Sequence, residues 1–120
     1  MGLIRFLLTK ALSKPVTTAY PAEVTLPQRG IRGTPVLVAE RCQLTAACEA
    51  ACPTGAIQVD RGPAGVGSWH IDYGRCIFCG VCIQACPDKA IVASERFELA
   101  VRQRGQASTT YRLGAGHDGS

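Results

Sequence analysis

The chain has 120 residues, a net charge of +4 and seven cysteines. This length allows one domain with extensions, and no apolar run approaches the roughly 20 residues that a membrane-spanning helix needs. The odd number of cysteines and their tandem spacing argue against a disulfide framework. The first residues do not match an export signal, so we expect a reducing compartment in which thiolates persist.

The basic excess is concentrated in the N-terminal third. Residues 1–41 carry a net charge of +4, residues 42–92 a net charge of −1 and residues 93–120 a net charge of +1. This distribution favours contact of the N-terminal segment with a membrane surface or an acidic partner. Nucleic acid is another partner for a basic segment, but aromatic residues do not alternate with basic ones in it, and we do not expect it.

Residues 1–14 are predicted to form a short amphipathic helix. Two adjacent rows of apolar residues follow the helical repeat, Leu3, Leu7 and Ala11 and then Ile4, Leu8 and Leu12. Pro15 ends the helix, because a residue before proline avoids the helical conformation. We expect the helix to lie on a membrane, to dock on a partner subunit or to pack on its own domain. Residues 15–41 contain four prolines and are predicted to form an extended arm with turns.

Residues 42–92 carry one cysteine pattern twice, with the second copy 34 residues after the first. The second copy is a complete C-x2-C-x2-C-x3-C-P run, which is typical of a bacterial [4Fe–4S] site. The first copy has the same spacing and the same following proline, but Thr45 stands where the second copy has Cys79. Iron in clusters favours thiolate ligands, so the repeat predicts two iron–sulfur sites, one of which lacks a ligand.

The ligand sets follow from the rule that the fourth cysteine of such a run binds the other cluster. The complete site, called site B, is predicted to hold a [4Fe–4S] cluster on Cys52, Cys76, Cys79 and Cys82. The degenerate site, called site A, is predicted to use Cys42, Cys48 and Cys86, with Thr45 at the position of the missing ligand.

Thr45 leaves the occupant of site A open, because a threonine hydroxyl does not readily lose its proton near neutral pH. Site A can hold a [3Fe–4S] cluster, it can hold a [4Fe–4S] cluster whose fourth iron binds water, Thr45 or a partner's group, or it can be empty. Gly80 follows Cys79 and permits a close backbone approach, whereas its repeat mate is Ala46. We therefore expect the site A loop to have lost that backbone freedom.

Zinc is the alternative metal for these cysteines, but zinc sites usually pair two short knuckles and do not explain this phasing. The two histidines, His70 and His117, are not expected to be ligands. No nucleophile and base stand together in a recognisable motif, so we assign no catalytic residue and expect no substrate reaction by this chain alone.

The remaining segments predict an α+β fold built from two short hairpins with helical turns between them. Strand-like pieces occupy residues 56–59, 69–72 and 90–92, and residues 62–67 are rich in turn-forming residues. Residues 93–104 are predicted to end the domain with a helix over 95–104, and residues 105–120 to form a mobile tail.

Several segments resemble one family, the two-cluster ferredoxin-like subunits of respiratory complex I and of membrane-bound group 4 [NiFe]-hydrogenases such as formate hydrogenlyase. The resemblance is carried by the run from Arg75 to Pro87, by Tyr20–Glu23 and Arg32–Pro35 before the first motif, and by Glu98–Val101 after the second. It implies a bacterial two-cluster ferredoxin-like core. The short segment between Gly33 and Cys42 is more similar to the hydrogenase branch.

The resemblance implies a relay of single electrons inside a multisubunit redox complex. Its partners would be hydrogenase large-type and small-type subunits and a membrane arm, on the cytoplasmic side of the membrane, with peripheral contact through the N-terminal helix. The alternatives are a complex I-like relay to quinone, a soluble ferredoxin carrier, and a structural adaptor in which a cluster only braces the fold. In this family site B matches fully, and site A matches at its three cysteines.

Overall fold

The computed structural model describes residues 2–23 and 30–114. Met1, residues 24–29 of the predicted arm, and residues 115–120 of the predicted tail with His117 lie outside the described residues. The helices and strands are, in chain order, α1 (Gly2–Leu12), β1 (Thr34–Leu37), α2 (Ala47–Ala51), β2 (Ile57–Arg61), β3 (Gly67–Asp72), α3 (Val81–Ala85), β4 (Ile91–Ser94) and β5 (Ser108–Leu113). Short 3-10 turns occupy Ala39–Arg41, Pro63–Gly65 and Arg104–Ala107.

The strands form two antiparallel sheets. The first pairs β1 with β4, with Val36 opposite Val92, and the second has the order β2-β3-β5, with Trp69 opposite Tyr111. Side chains alternate between the two faces of a strand, so Trp69 and Ile71 of β3 point inward together, and both are completely buried. With the two short helices, these sheets confirm the α+β, two-cluster ferredoxin-like fold.

The core is small and includes cysteines. Its buried members are Leu37, Leu44, Cys48, Ile57, Trp69, Ile71, Cys82, Ala90, Ile91 and Leu113. A core of this size contributes limited apolar burial, and a unit this small commonly depends on a metal or another cross-link for its stability. Two of the predicted cluster ligands, Cys48 and Cys82, are therefore members of this core.

The 34-residue repeat of the sequence is also a repeat of the backbone. Helices α2 and α3 occupy equivalent positions, and β2 and β4 both begin at the equivalent isoleucine. The left-handed residues also match in pairs, namely Leu44 with Phe78, Ala46 with Gly80, and Gly55 with Lys89. We expected the site A loop to have lost the backbone freedom that Gly80 provides, but Ala46 adopts the same left-handed conformation, with φ 59° beside 77° for Gly80. Its Cβ is tolerated in the left-handed region at a cost in strain.

Part of the arm predicted over residues 15–41 belongs to the folded core. Strand β1 lies inside residues 15–41, and Thr34 is buried with its hydroxyl bonded to the Arg96 carbonyl. The folded unit therefore begins before residue 42, where the sequence alone placed its boundary. Gly33 allows the chain just before β1 to approach the end of β4 closely, since a Cβ at that position would clash with the carbonyl oxygen of Ser94.

The helix predicted over residues 95–104 was wrong. Residues 95–101 have no regular structure, and a single 3-10 turn follows at Arg104–Ala107. A ten-residue helix is marginal without packing, and Phe97 and Val101 remain 43% and 44% exposed. Tyr20 of the arm contacts Phe97, with ring centroids 6.1 Å apart, and donates a hydrogen bond to Glu98. An extended path also carries the chain from β4 to β5.

The mobile tail predicted from residue 105 was wrong over its described part. Strand β5 runs along all of β3, and its last residue, Leu113, is buried in the core. The sequence Ser-Thr-Thr-Tyr-Arg-Leu is rich in β-branched and aromatic residues, which favour strands. The prediction was based on the composition of residues 105–120 as a whole, which is rich in small residues, and so did not recognise the six-residue strand pattern.

Helix α1 extends away from the folded unit. None of its residues is buried, and the molecule measures 78 by 27 by 25 Å. Packing on its own domain, one of three expected uses, is therefore not seen in the part of the chain that the structure describes. Within the described residues, no helix combines the length and apolarity required to cross a membrane.

Candidate iron–sulfur centres

Site B is an apolar cavity with four cysteines in its wall. The cavity encloses about 420 Å³ of space not filled by protein atoms, part of it open to solvent. Its cysteines are Cys52, Cys76, Cys79 and Cys82, the set predicted for the complete cluster. Cys52 belongs to the first repeat and the others to the second, so the structure brings the crossed set together. Four sulfur donors around one apolar cavity fit a [4Fe–4S] cluster.

Backbone N–H groups point at the sulfurs of site B. The N–H of Ala56 donates to the Sγ of Cys52 at 3.3 Å, and that of Phe78 to the Sγ of Cys76 at 3.4 Å. The left-handed conformation of Phe78 turns the loop around the cavity. Such N–H···S bonds stabilise negative charge on the ligand sulfurs.

The cysteines of site B differ in how readily they ionise. Burial, and then the neighbouring Cys76, raise the pKa of Cys82 to about 11. Burial also raises the pKa of Cys52, but hydrogen bonds, first from the Thr54 side chain and then from backbone N–H groups, outweigh it and lower that pKa. Iron must displace the Cys82 proton on binding, because the metal ligand is the thiolate.

Site A is a second cavity, built in the same way. Its lining includes Cys42, Thr45, Cys48 and Cys86, so the three predicted thiols and the threonine meet there. The N–H of Ala90 donates to the Sγ of Cys86 at 3.4 Å, which repeats the bond from Ala56 to Cys52 at site B. About 260 Å³ of space at this cavity is not filled by protein atoms, part of it open to solvent. Three thiols around it fit a cluster with three protein ligands.

The Thr45 side of site A is open to solvent. Thr45 is exposed, whereas its repeat mate Cys79 is partly buried. Cys42, Leu44 and Thr45 line both the inner cavity and a wide outer groove. The guanidinium of Arg61, at the end of β2, donates a hydrogen bond to the Thr45 carbonyl oxygen and closes one side of that groove. The missing ligand position therefore faces water.

Sequence reasoning missed the contact between Trp69 and site A. The indole Nε1–H donates to the Sγ of Cys48 at 3.4 Å, and both side chains are buried. Burial raises the pKa of Cys48, while this hydrogen bond acts in the opposite direction. A donor from a strand 21 residues away in sequence leaves no short-range signal that the cysteine pattern could have revealed.

The sequence analysis also did not identify Asp88, or the Arg61 described above, as a residue of site A. Asp88 lies two residues after Cys86 and is the acidic residue among those that line the inner cavity. Its repeat mate Thr54 lines site B in the same way. The repeat could have predicted this position, because Asp88 and Thr54 are 34 residues apart, which is the length of the repeat. Carboxylate oxygen is an accepted iron ligand, although harder than sulfur.

His70, which was not expected to be a ligand, lies away from both cavities. His70 makes a 2.8 Å hydrogen bond between its Nδ1 and the hydroxyl of Thr110 on β5, on the face of β3 opposite Trp69. All seven cysteines are free thiols. Among the described residues, no three histidine, cysteine or acidic side chains are close enough to hold a single metal ion. A cube-shaped cluster spaces its ligand sulfurs more widely than one ion does.

Comparisons with known proteins agree with this geometry. Residues 41–90 match the family model described as a 4Fe-4S dicluster domain. A chain from the membrane-bound sulfane sulfur reductase (MBS), an archaeal respiratory membrane complex, is similar in structure with a TM-score of 0.65 at 32% identity. That match covers 88% of this chain and 57% of that chain.

Curated relatives carry one recurring name. The chain is 34% identical over 97 residues to NAD(P)H-quinone oxidoreductase subunit I of Gloeobacter violaceus, a match that spans 76% of this chain and 46% of the relative. It is also 34% identical over 110 residues to NADH-quinone oxidoreductase subunit I 2 of Geobacter metallireducens, across 84% of each chain. The chain belongs to the family of two-cluster ferredoxin-like proteins that includes NADH-quinone oxidoreductase subunit I.

Proposed function

We propose that the chain is an iron–sulfur electron-transfer subunit of a membrane-associated respiratory complex. The observation that carries the proposal is the pair of cysteine-lined cavities, side by side in one small fold. Helices α2 and α3 pack against each other, and each supplies one buried cysteine to its cavity. When bound, a cluster of this type supplies one-electron reduction and oxidation.

At site B, the proposed role of the four cysteines is to hold a [4Fe–4S] cluster. Apolar side chains around them, including Ile57, Ile71 and Ile83, restrict access of water. The N–H groups of Ala56 and Phe78 offset negative charge on the sulfurs. Burial and hydrogen bonding are two means by which a protein adjusts the potential of such a site.

At site A, we assign a [3Fe–4S] cluster to Cys42, Cys48 and Cys86. The exposed position of Thr45 supports this assignment, because an iron on that side would have no thiolate from the chain. A [4Fe–4S] cluster is the alternative, and Asp88 is then the carboxylate at the cavity that suits its fourth iron. Asp88→Asn tests Asp88 as that ligand, since it changes the iron content only if Asp88 binds the fourth iron, and the EPR signal of the oxidised chain distinguishes the two cluster types.

We assign α1 to the membrane surface. Its apolar side chains Leu3, Leu7 and Leu8 are all more than half exposed, and Lys10 lies 5.8 Å from the centroid of the Phe6 ring, beside them. Exposed leucines flanked by basic residues fit the interface of anionic lipids. The expected result is binding to vesicles that contain anionic lipid, with roughly tenfold weaker binding for Leu7→Glu.

A matched control separates apolar insertion from charge. Ser13→Glu adds the same negative charge just beyond the end of α1, outside the apolar rows, and is expected to weaken vesicle binding by less than Leu7→Glu. Equal loss in the two variants would point to charge alone. Unchanged binding in Leu7→Glu would leave a partner subunit as the surface that covers α1.

The type of complex is a finer part of the proposal. The short segment between Gly33 and Cys42 supports a [NiFe]-hydrogenase-type complex, with hydrogenase subunits and a membrane arm as partners, on the cytoplasmic side. The relatives named NADH-quinone oxidoreductase subunit I favour a second candidate, a relay to quinone. The purified complex distinguishes them: hydrogen-dependent reduction of a dye supports the first, and quinone reduction without hydrogen activity supports the second.

The decisive experiment for electron transfer is EPR with iron and sulfide analysis on the intact complex. We expect a [3Fe–4S] signal in the oxidised state and a [4Fe–4S] signal in the reduced state, and both should respond within one turnover. A chain that holds both clusters but stays a free monomer away from membranes would be a soluble carrier. Signals that never change during turnover would make the chain a structural adaptor.

A further inference from the structure

We propose that Trp69 adjusts the reduction potential of site A by donating its indole N–H to the Sγ of Cys48. The inference rests on the proposed cluster at site A and adds a positioning residue that neither the cysteine pattern nor the family match assigns. Trp69 is on β3 and Cys48 on α2, so the bond joins the three-stranded sheet to the ligand helix.

The geometry of this contact is that of a buried hydrogen bond. The Nε1 to Sγ separation is 3.4 Å, Trp69 is completely buried, and Cys48 is 7% exposed. Water therefore cannot take the place of the indole as a donor. In a low-dielectric environment the N–H dipole acts on the sulfur with little screening.

The indole ring is held in place from β5. Tyr111 is directly opposite Trp69 in the strand register, and the two ring centroids are 5.6 Å apart at an interplanar angle of 60°. A tilted arrangement at this distance is a favourable aromatic contact. Strand β5 therefore has a consequence for site A, because it fixes the ring that carries the donor.

The indole N–H donor distinguishes site A from site B. At site B, the described partners of the ligand sulfurs are the backbone N–H groups of Ala56 and Phe78 and the Thr54 hydroxyl, 3.6 Å from the Sγ of Cys52. Site A has the backbone bond from Ala90 and, in addition, the indole. Reduction adds negative charge that is shared with the sulfurs, so a donor stabilises the reduced state more than the oxidised one. The indole raises the potential of site A.

The test replaces the N–H without changing the shape of the ring. Trp69 is the only tryptophan in the 120 residues, so growth on benzothienylalanine, in which sulfur replaces the ring N–H, alters one ring of the full chain. EPR-monitored redox titration follows each site by its own signal. We expect the ratio of reduced to oxidised site A at a fixed potential to fall about tenfold, or about 59 mV for one electron. Site B is expected to keep its potential.

Two variants support the titration. Trp69→Phe removes the same donor by mutation and is expected to lower the potential in the same direction. Tyr111→Phe keeps the tilted aromatic contact and the indole N–H, and is expected to leave the potential of site A unchanged. A site A signal at its original potential in the analogue-substituted chain overturns the proposal. Absence of any site A signal in the unaltered chain instead refutes the proposed cluster, and the role of Trp69 with it.

Discussion

The two halves of the iron–sulfur core have nearly the same backbone and different chemistry. The capping residues of the ligand helices, Cys52 and Cys86, have identical dihedral angles, φ −73° and ψ 115°. Left-handed residues also recur at equivalent positions, as in Leu44 at φ 55° and Phe78 at φ 54°. Thr45 therefore replaces a ligand without altering the loop. Loss of a ligand and loss of the ligand-binding fold are separate events in this protein.

The difference between the halves lies around the sulfurs. Site B has isoleucines, backbone donors and the Thr54 hydroxyl around its sulfurs, whereas site A has an exposed threonine, an aspartate and an indole. Thr45 is on the solvent-exposed side of site A, and the indole is on the buried side. Four predictions test this difference between the halves, and their expected effects decrease from the loss of the [4Fe–4S] signal to a small change in stability.

Cys52→Ala is expected to have the largest effect. Although Cys52 is in the first repeat, it lines site B, so the variant leaves site B with three thiolates, as at site A. The [4Fe–4S] signal should disappear, a second [3Fe–4S] signal should take its place with about one iron fewer per chain, and the site A signal should remain. Iron and sulfide analysis with EPR measures this. Thr54→Val removes the hydroxyl 3.6 Å from the same sulfur and should keep the cluster. Loss of the site A signal instead would disprove the crossed ligand set.

Thr45→Cys is expected to make site A equivalent to site B. A fourth thiolate at an exposed position needs no repacking, so the oxidised [3Fe–4S] signal should disappear and about one more iron should bind per chain. Reconstitution followed by EPR and iron analysis gives the result. Thr45→Ser retains a hydroxyl and serves as the control. An unchanged spectrum and iron content in Thr45→Cys would mean that Thr45 is not at the missing-ligand position.

Arg61→Gln is expected to loosen the Thr45 loop. It removes the hydrogen bond from the guanidinium to the Thr45 carbonyl, so a chelator should extract iron from site A about fivefold to tenfold faster, within the range of one ordinary hydrogen bond. Arg75→Gln is the matched control beside site B, where Arg75 pairs with Asp72 at 3.7 Å on the surface. Equal rates in Arg61→Gln and the unaltered chain would show that the loop does not limit iron release.

Ala46→Gly and Gly80→Ala are a mirror pair with the smallest effect. Both positions have positive φ, and a Cβ at Gly80 would meet no atom within 4 Å, so the change is one of backbone strain alone. We expect Ala46→Gly to raise the free energy of unfolding by about 1 kcal/mol and Gly80→Ala to lower it by about as much. Denaturant unfolding of the cluster-loaded chain measures both. The same sign for the two changes would contradict the equivalence of the loops.

The cysteine spacing predicted the fold class and the membership of each cavity, because ligand spacing constrains local backbone shape directly. The ends of the chain were predicted poorly. Residues 95–104 have apolar residues at helical spacing, but Phe97 contacts Tyr20 instead of a helix neighbour. Strand β5 is stabilised by pairing with β3, and Trp69 reaches Cys48 across the core. Such long-range contacts depend on tertiary structure, which local propensity does not contain.

The crossed ligand sets have a consequence for how the protein unfolds. Cys52 is attached to the first repeat and faces site B, while Cys86 is attached to the second and faces site A. Neither repeat can open without pulling a ligand out of the cluster that the other repeat holds. The loaded chain therefore has one cooperative unit where its sequence shows two modules, and partial opening that exposes a single cluster is disfavoured.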